Sequence, residues 1–437
     1  MSKALRAALL LLAAVLLAIA CNTAAFFIDT PALRENAAQA AAMLGEQQAV
    51  PELVGGFKSA QLDNYTSVLI VKTAAYVGHE PLAQKALGGF RRDVPAAEGQ
   101  SEWDAYACYE DGDTVPIGGL NYSRYWHGYT LPLRLLLCVL NLSNIQMLLL
   151  FAQLALLMAV ALLMARRALS ALIPGFFTAW FLMMPAALGL CLQYAPVSLL
   201  TLAACAALLA WPERIGRFTG LPAFFALIGM ATSYFDLLTF PLVSLGYPLV
   251  LLLALRLDVR TDSRRLWLEA VACCAAWGMG WAGMWALKWL LNAAVFGAAY
   301  VWESIFGQTL LRLSLDADGT AISRLDALRV NANVLLGKRS YQLLIAAAAL
   351  FSLLAGLHGA HRHGRIALRQ EVLVLLLPLA AGVLWFLVLA NHTYQHYYFA
   401  YRTLTVSFFA LYALLTLLPA ARTAPAAAQP VPKEDAP

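Results

Sequence analysis

The chain has 437 residues, of which 61% are hydrophobic and only 13% charged, with a formal net charge of +5. Such a composition excludes an ordinary soluble globular protein and points to a lipid bilayer. The arginines are scattered in short groups between apolar runs and form no basic face, which excludes nucleic acid as a partner.

Lys3 and Arg6 precede an uninterrupted apolar run, so residues 1–21 are expected to form a first transmembrane helix with its N-terminus in the cytoplasm. Residues 22–130 turn polar and are punctuated by Pro31, Pro51, Pro81, Pro95 and Pro116, as an extracytoplasmic loop domain would be. Within it, 34–44 and 64–77 carry apolar residues at helical spacing. The acids Glu102, Asp104, Glu110, Asp111 and Asp113 read as a solvated surface, and a divalent cation is the alternative they leave open. Tyr122, Tyr125, Trp126, His127 and Tyr129 are dense enough to mark the headgroup level of a bilayer. The apolar run 131–142 is too short to span and predicts an interfacial or re-entrant helix.

Further spans are expected over 145–165, 171–190, 196–211, 218–234, 240–255, 266–291, 341–357, 371–390 and 403–418. Residues 131–291 thus form a membrane domain with the interfacial helix and spans 2 to 7, 292–340 a second extracytoplasmic loop, and 341–420 spans 8 to 10. Residues 421–437, rich in alanine, proline and charge, read as a disordered cytoplasmic tail. The expected fold class is an all-α polytopic integral membrane protein with about ten transmembrane helices. Arg166, Arg167, Arg214, Arg217, Arg256, Arg260, Arg264, Arg265, Arg362, Arg365 and Arg369 all fall in loops that this count makes cytoplasmic, and the short loops around Gln193 and Asp236 hold no Lys or Arg. Both termini are therefore expected in the cytoplasm. Of the seven cysteines, Cys21 and Cys108 are the two that can meet outside the membrane, and spacing leaves a bridge between them open.

Several motifs have plain explanations. Gly278, Gly280 and Gly283 have the spacing of a dinucleotide fingerprint, but they lie in mid-span, where small residues serve close helix packing. His358, His361 and His363 share a positively charged loop with Arg362 and Arg365. Other features invite a functional reading. Asp236 lies at the end of a span beside a very short turn, a depth at which an acid needs a partner or an aqueous cavity. The link between the last two spans, 391–402, packs His392, His396, four tyrosines and Arg402 together, a set able to grip an anionic headgroup or phosphate.

Gln61-Leu62-Asp63-Asn64-Tyr65-Thr66, with Ala74-Ala75-Tyr76 behind it, is followed by Tyr129-Thr130-Leu131-Pro132-Leu133-Arg134-Leu135-Leu136 and Leu140-Asn141-Leu142-Ser143-Asn144. Together they resemble, in layout and weak motifs, the C-type (GT-C) glycosyltransferases, multispan enzymes that include the protein O-mannosyltransferases and the aminoarabinose transferases of lipid A. The resemblance covers 63–167 and extends to the later spans only in arrangement. It implies a bacterial inner-membrane enzyme. A sugar carried on a polyprenyl phosphate enters from the bilayer, and an envelope glycan, lipid or protein accepts it on the outer side. In that reading Asp63 is the general base, and Asn64, Tyr65, Asp236, His392, His396 and Arg402 bind substrate. Asn64 stands where many members have a second acid, so no metal ligand is assigned. The segment before Asp63 is longer than usual, which leaves Asp29 as a second candidate base. Two other classes fit the same spans: a transporter or lipid flippase, and a non-catalytic envelope assembly protein. No internal repeat supports the first, and the charged residues lie mainly at membrane borders.

Overall fold

Where water is scarce, a backbone satisfies its own N–H and C=O groups within each helix, and this chain is helical almost throughout. The computed structural model describes residues 3–109, 122–218, 220–258, 262–317, 319–361, 366–368 and 370–421. After α1 (Lys3–Ala25), the polar segment folds into short helices, α2 (Pro31–Gly45), α3 (Asn64–Ala74), α4 (Leu82–Gly88), α5 (Glu102–Ala107) and α6 (Thr130–Leu137). The apolar helices α7 (Leu142–Arg166), α8 (Ile173–Leu182), α9 (Pro185–Leu190) and α10 (Ala195–Ala210) follow. Beyond them come α11 (Pro212–Phe218), α12 (Leu221–Phe235), α13 (Leu242–Asp258) and α14 (Ser263–Phe296). A second polar segment holds α15 (Ala298–Tyr300), a π-helical turn at Val301–Phe306, α16 (Gly307–Leu313), a hairpin of β1 (Asp316–Ala317) with β2 (Thr320–Ala321), and α17 (Arg324–Leu336). The chain continues through α18 (Arg339–His361), β3 (Ile366–Leu368), α19 (Leu376–Val388), α20 (Ala390–Gln395), α21 (Tyr397–Ala400) and α22 (Leu404–Leu417) to β4 (Pro419–Ala421), which pairs antiparallel with β3.

Among the described residues, six helical segments are long and apolar enough to cross a membrane: Leu5–Ala25, Leu142–Arg166, Ser263–Phe296, Arg339–His358, Gln370–Val388 and Tyr397–Leu417. Four apolar helices are shorter, Ser170–Leu182, Ala195–Ala210, Leu221–Phe235 and Leu242–Leu257. Each of the ten expected spans overlaps one of these, but at 1.5 Å per residue the shorter four fall below the hydrocarbon thickness of about 30 Å. The run over 171–190 is broken. Proline disfavours helical backbone in the residue before it; α8 ends at Leu182, Met184 turns left-handed at φ 61°, and Pro185 opens α9. The carbonyls released by the break find donors in Tyr401 Oη (to Leu182, 3.2 Å), Arg402 Nε (to Met183, 2.9 Å) and Gln153 Nε2 (to Pro185, 2.9 Å).

The two polar segments pack together as a layer over one end of the helices. Asn22 near the end of α1 donates to the carbonyls of Ala86 and Trp126 and accepts from the Tyr234 hydroxyl. From α14, Lys288 donates to Leu87 O at 2.5 Å and Asn292 to Ser123 O at 2.8 Å. Arg134 of α6 is buried and donates to the carbonyls of Ile28, Ala74 and Tyr76, tying α6 to the segment after α1 and to the C-terminal end of α3. The aromatic run 122–129 differs from the headgroup belt its composition suggests. Tyr125, Trp126, His127 and Tyr129 are buried inside the layer, with Trp126 Nε1 bonded to Met284 O, because the layer folds back onto α14. All seven cysteines are free thiols, so Cys21 and Cys108 form no bridge. Glu110, Asp111, Asp113, Pro116, Asn121, Arg260, Arg362, His363, Arg365 and Arg369, and the tail beyond 421, lie outside the described residues.

Candidate functional site

The layer is organised around α3. Asp63 is its N-cap: Oδ1 accepts from the Thr66 amide and Oδ2 from the Thr66 hydroxyl, both at 2.8 Å. Val68, Val71 and Thr73 are β-branched and weak helix formers. The helix is instead held by burial of nearly every residue from Ser67 onward and by Arg134 at its C-terminal carbonyls, where a cation complements the helix dipole. This fixing leaves the Asp63 carboxylate only 3% exposed. Burial raises its pKa above the ordinary aspartate value, with hydrogen bonds from Thr66 and the Tyr398 hydroxyl opposing the rise. The Asp63 carbonyl accepts from Ser67 Oγ at 2.9 Å and lies 3.8 Å from Cys191 Sγ.

Next to it, Arg402 is fully buried. Its guanidinium donates to Met183 O at 2.9 Å, Tyr398 O at 3.2 Å and Ser59 O at 3.2 Å, and stacks 4.3 Å from the Tyr194 ring centre. Tyr194 is within electrostatic reach of both Arg402 and Asp63, and its buried hydroxyl has no hydrogen-bond partner among the described residues. Arg402 is thus committed to backbone carbonyls, where the sequence suggested a hand for phosphate.

A ring path leads from Tyr194 through Phe399 (6.0 Å) to His396 (5.2 Å) and His392 (4.9 Å from His396). His392 is buried and bonds Leu238 O through Nε2 at 2.8 Å. Burial, and then the positive charges of His396, Arg312 and Arg124, hold it well below the usual imidazole pKa. Asp236 lies in the turn that supplies Leu238. It accepts from Thr239 Oγ1 at 2.5 Å, and burial pushes its pKa up to about 6.

This region also contains two arginines that the sequence did not single out. Arg312 donates to Tyr125 Oη at 3.2 Å, and Arg124 lies 4.4 Å from the Tyr122 ring centre. The Nε of each is buried without a hydrogen-bond partner among the described residues. They come from separate polar segments, and only the fold makes them neighbours of His392.

The remaining candidates lie apart. Asn64 is engaged with Gln47 Oε1 at 3.0 Å and Gln48 O at 3.2 Å. Tyr65 points outward and stacks face to face on Tyr106 at 4.1 Å. Asp29 pairs with Arg34 at 2.5 Å, and that hydrogen bond holds its carboxyl below the ordinary aspartate value. Among the described residues no group of three or more His, Cys, Asp or Glu side chains is placed to hold a metal ion.

An apolar groove of 420 Å³ runs beside α7 and α10, lined by Leu149, Leu156, Leu199 and Ala203, and reaches Ile70 of α3 and Leu192. Leu192 follows the cysteine that touches Asp63. Comparison of this chain with protein-family models, curated proteins and solved structures found no match.

Proposed function

We propose that this chain is an integral membrane glycosyltransferase that moves a sugar from a polyprenyl-phosphate donor to an envelope acceptor outside the cytoplasm, with Asp63 as general base. The observation that carries the reading is the Asp63 carboxylate itself, desolvated and hydrogen-bonded to Tyr398, on a residue whose backbone carbonyl meets Cys191, the neighbour in sequence of Leu192 in the apolar groove. A base serves best when its pKa approaches the working pH. Burial raises Asp63 in that direction, whereas Arg34 lowers Asp29, which favours Asp63 over its competitor.

In this reading ten apolar segments pass through the bilayer, four of them helical over less than its full hydrocarbon thickness, both termini are in the cytoplasm, and the groove takes the isoprenoid chain. The acceptor hydroxyl gives its proton to Asp63 as its oxygen bonds the anomeric carbon. The bond from that carbon to the phosphate oxygen breaks, and the polyprenyl phosphate leaves with the electron pair. Arg312 and Arg124, each with an Nε that has no partner among the described residues, offset the charge on the departing phosphate. No step is assigned to a metal.

The test is Asp63→Asn in the full-length protein, assayed with a polyprenyl-phosphate sugar. Asn and Asp cap helices about equally well, so this change removes the base and keeps the cap. The expected outcome is parental expression and thermal stability with turnover reduced about 10² to 10⁴-fold. Undiminished turnover in Asp63→Asn would refute the assignment, and envelope glycans unchanged by deletion of the gene would refute the transferase reading.

A further inference from the structure

A second cavity, of 530 Å³, opens in the polar layer and is chemically unlike the groove. Its walls include Gly56 and Lys58 on the segment leading to Asp63, Asn333 and Lys338 at the junction of α17 and α18, and the rings of Tyr394 and Tyr397, with two valines of α17 completing one side. Small-ligand sites occupy roughly 300 to 1,000 Å³, so the space suits one to three sugar rings.

The charges facing it do not cancel. Lys58 pairs with Glu52 at 2.7 Å, and Glu52 also accepts from the Gly56 amide at 2.7 Å. Lys338 lies 5.0 Å from the Phe57 ring centre, and among the described residues no carboxylate is within ion-pair distance of it. Two ammonium groups and one carboxylate leave one positive charge. Gly56 adopts a left-handed φ of 78°, which keeps the turn bearing Glu52 and Lys58 folded against Lys338.

The cavity also adjoins the site. Ser59, the residue after Lys58, bonds Tyr341 through its hydroxyl at 2.7 Å, and its carbonyl accepts from Arg402 and Tyr401. Tyr397 precedes Tyr398, whose hydroxyl bonds Asp63. Ammonium groups, an amide and two phenols form a donor-rich lining with aromatic rings against which a sugar can lie, and the uncancelled charge selects for an anion.

We propose that this cavity binds an acidic saccharide, a hydroxylated ring system carrying a carboxylate or phosphate, as the acceptor of the transfer. The assignment of the acceptor role rests on the transferase reading, whereas binding itself needs no donor lipid. The test uses the full-length protein in lipid nanodiscs, without donor, and measures binding calorimetrically with trigalacturonate, neutral maltotriose and inorganic phosphate. Trigalacturonate is expected to bind at least about tenfold more tightly than maltotriose, with inorganic phosphate a weak competitor. Lys338→Met should abolish that preference and Lys338→Arg should keep most of it, both melting with the parent. Equal affinity for the charged and neutral sugars, unchanged binding in Lys338→Met, or competition by phosphate as strong as that by the trisaccharide would each overturn the proposal. Should Asp63→Asn bind trigalacturonate normally while the parent transfers no sugar to any acceptor, the saccharide site stands and the transferase reading falls.

Discussion

The two ends of the helix bundle use their basic residues in different ways. In the polar layer, Arg134, Arg402 and Lys288 are buried and satisfied by backbone carbonyls, with no carboxylate in ion-pair contact among the described residues. At the other end Arg166 is exposed and Arg256 pairs with Glu269 at 3.1 Å while its side chain stays 42% exposed; Arg167, half-buried between the extremes, combines Glu213 at 3.4 Å with the carbonyls of Leu209 and Ala210. Depth decides the difference. An exposed guanidinium keeps its hydration and marks topology, while a buried one has to replace water with fixed acceptors and so ties segments together.

The largest break in this contrast should come from Asp63→Asn, at about 10² to 10⁴ in turnover. In the parent, the base works only when ionised and burial raises its pKa, so the acid limb of kcat/KM should lie above the ordinary aspartate range. A limb at the ordinary value would show that the carboxylate is hydrated in the working enzyme. The stability sign follows the same shift. The folded state favours the protonated acid, so this contribution is full below the unfolded pKa and is lost as pH rises through the raised one.

Next in size are the buried cations. Arg134→Ala strands the carbonyls of Ile28, Ala74 and Tyr76, and Arg402→Ala removes its donors from Met183 and Tyr398 while Ser59 O keeps Tyr401. Every buried group left unsatisfied costs about 1 to 3 kcal/mol. A loss of about 3 kcal/mol or more is expected in denaturant or thermal melts of the detergent-solubilised protein, with the lysine variants intermediate because one ammonium cannot reproduce the fork. Melting like the parent in Arg402→Ala would return that guanidinium to the list of phosphate ligands. Arg312→Ala should weaken the apparent donor affinity about tenfold to a hundredfold, the scale of one charge-assisted hydrogen bond, and cost about 1 kcal/mol of stability through the lost bond to Tyr125 Oη. Its donor titration set beside its melting curve separates phosphate binding from packing. The smallest effect belongs to the opposite end, where Arg166→Ala or Arg256→Ala should shift stability by no more than about 0.5 kcal/mol. A larger shift there would dissolve the contrast.

Helical membrane character was legible in the sequence, because long apolar runs have few other ways to satisfy their backbones. Short polar helices were legible where periodicity was strong, as in α2 and most of α3. The break between α8 and α9 was signalled locally by Pro185, yet the composition around it remains that of a span. The site was legible only in pieces. Asp63, Asp236, His392, His396 and Arg402 stood out as polar residues in apolar or aromatic surroundings; the fold gathers Asp63, His392, His396 and Arg402 around Tyr194 and Phe399, and Asp236 holds the turn whose Leu238 carbonyl meets His392. Arg124 and Arg312 carried no signal, since an arginine in a polar loop is ordinary until its neighbours are known.

By itself, then, the sequence determined that this chain is a bundle of apolar helices with two polar segments, because hydropathy and chain length act locally along the backbone. Only the tertiary structure decided which charges serve which purpose. The pKa of Asp63, the carbonyl cage of Arg402 and the uncancelled charge of Lys338 all depend on burial and on partners distant in sequence. Electrostatic energies at these positions are set by local dielectric and by distances of a few ångströms, quantities that exist only once the two polar segments have closed over the helices.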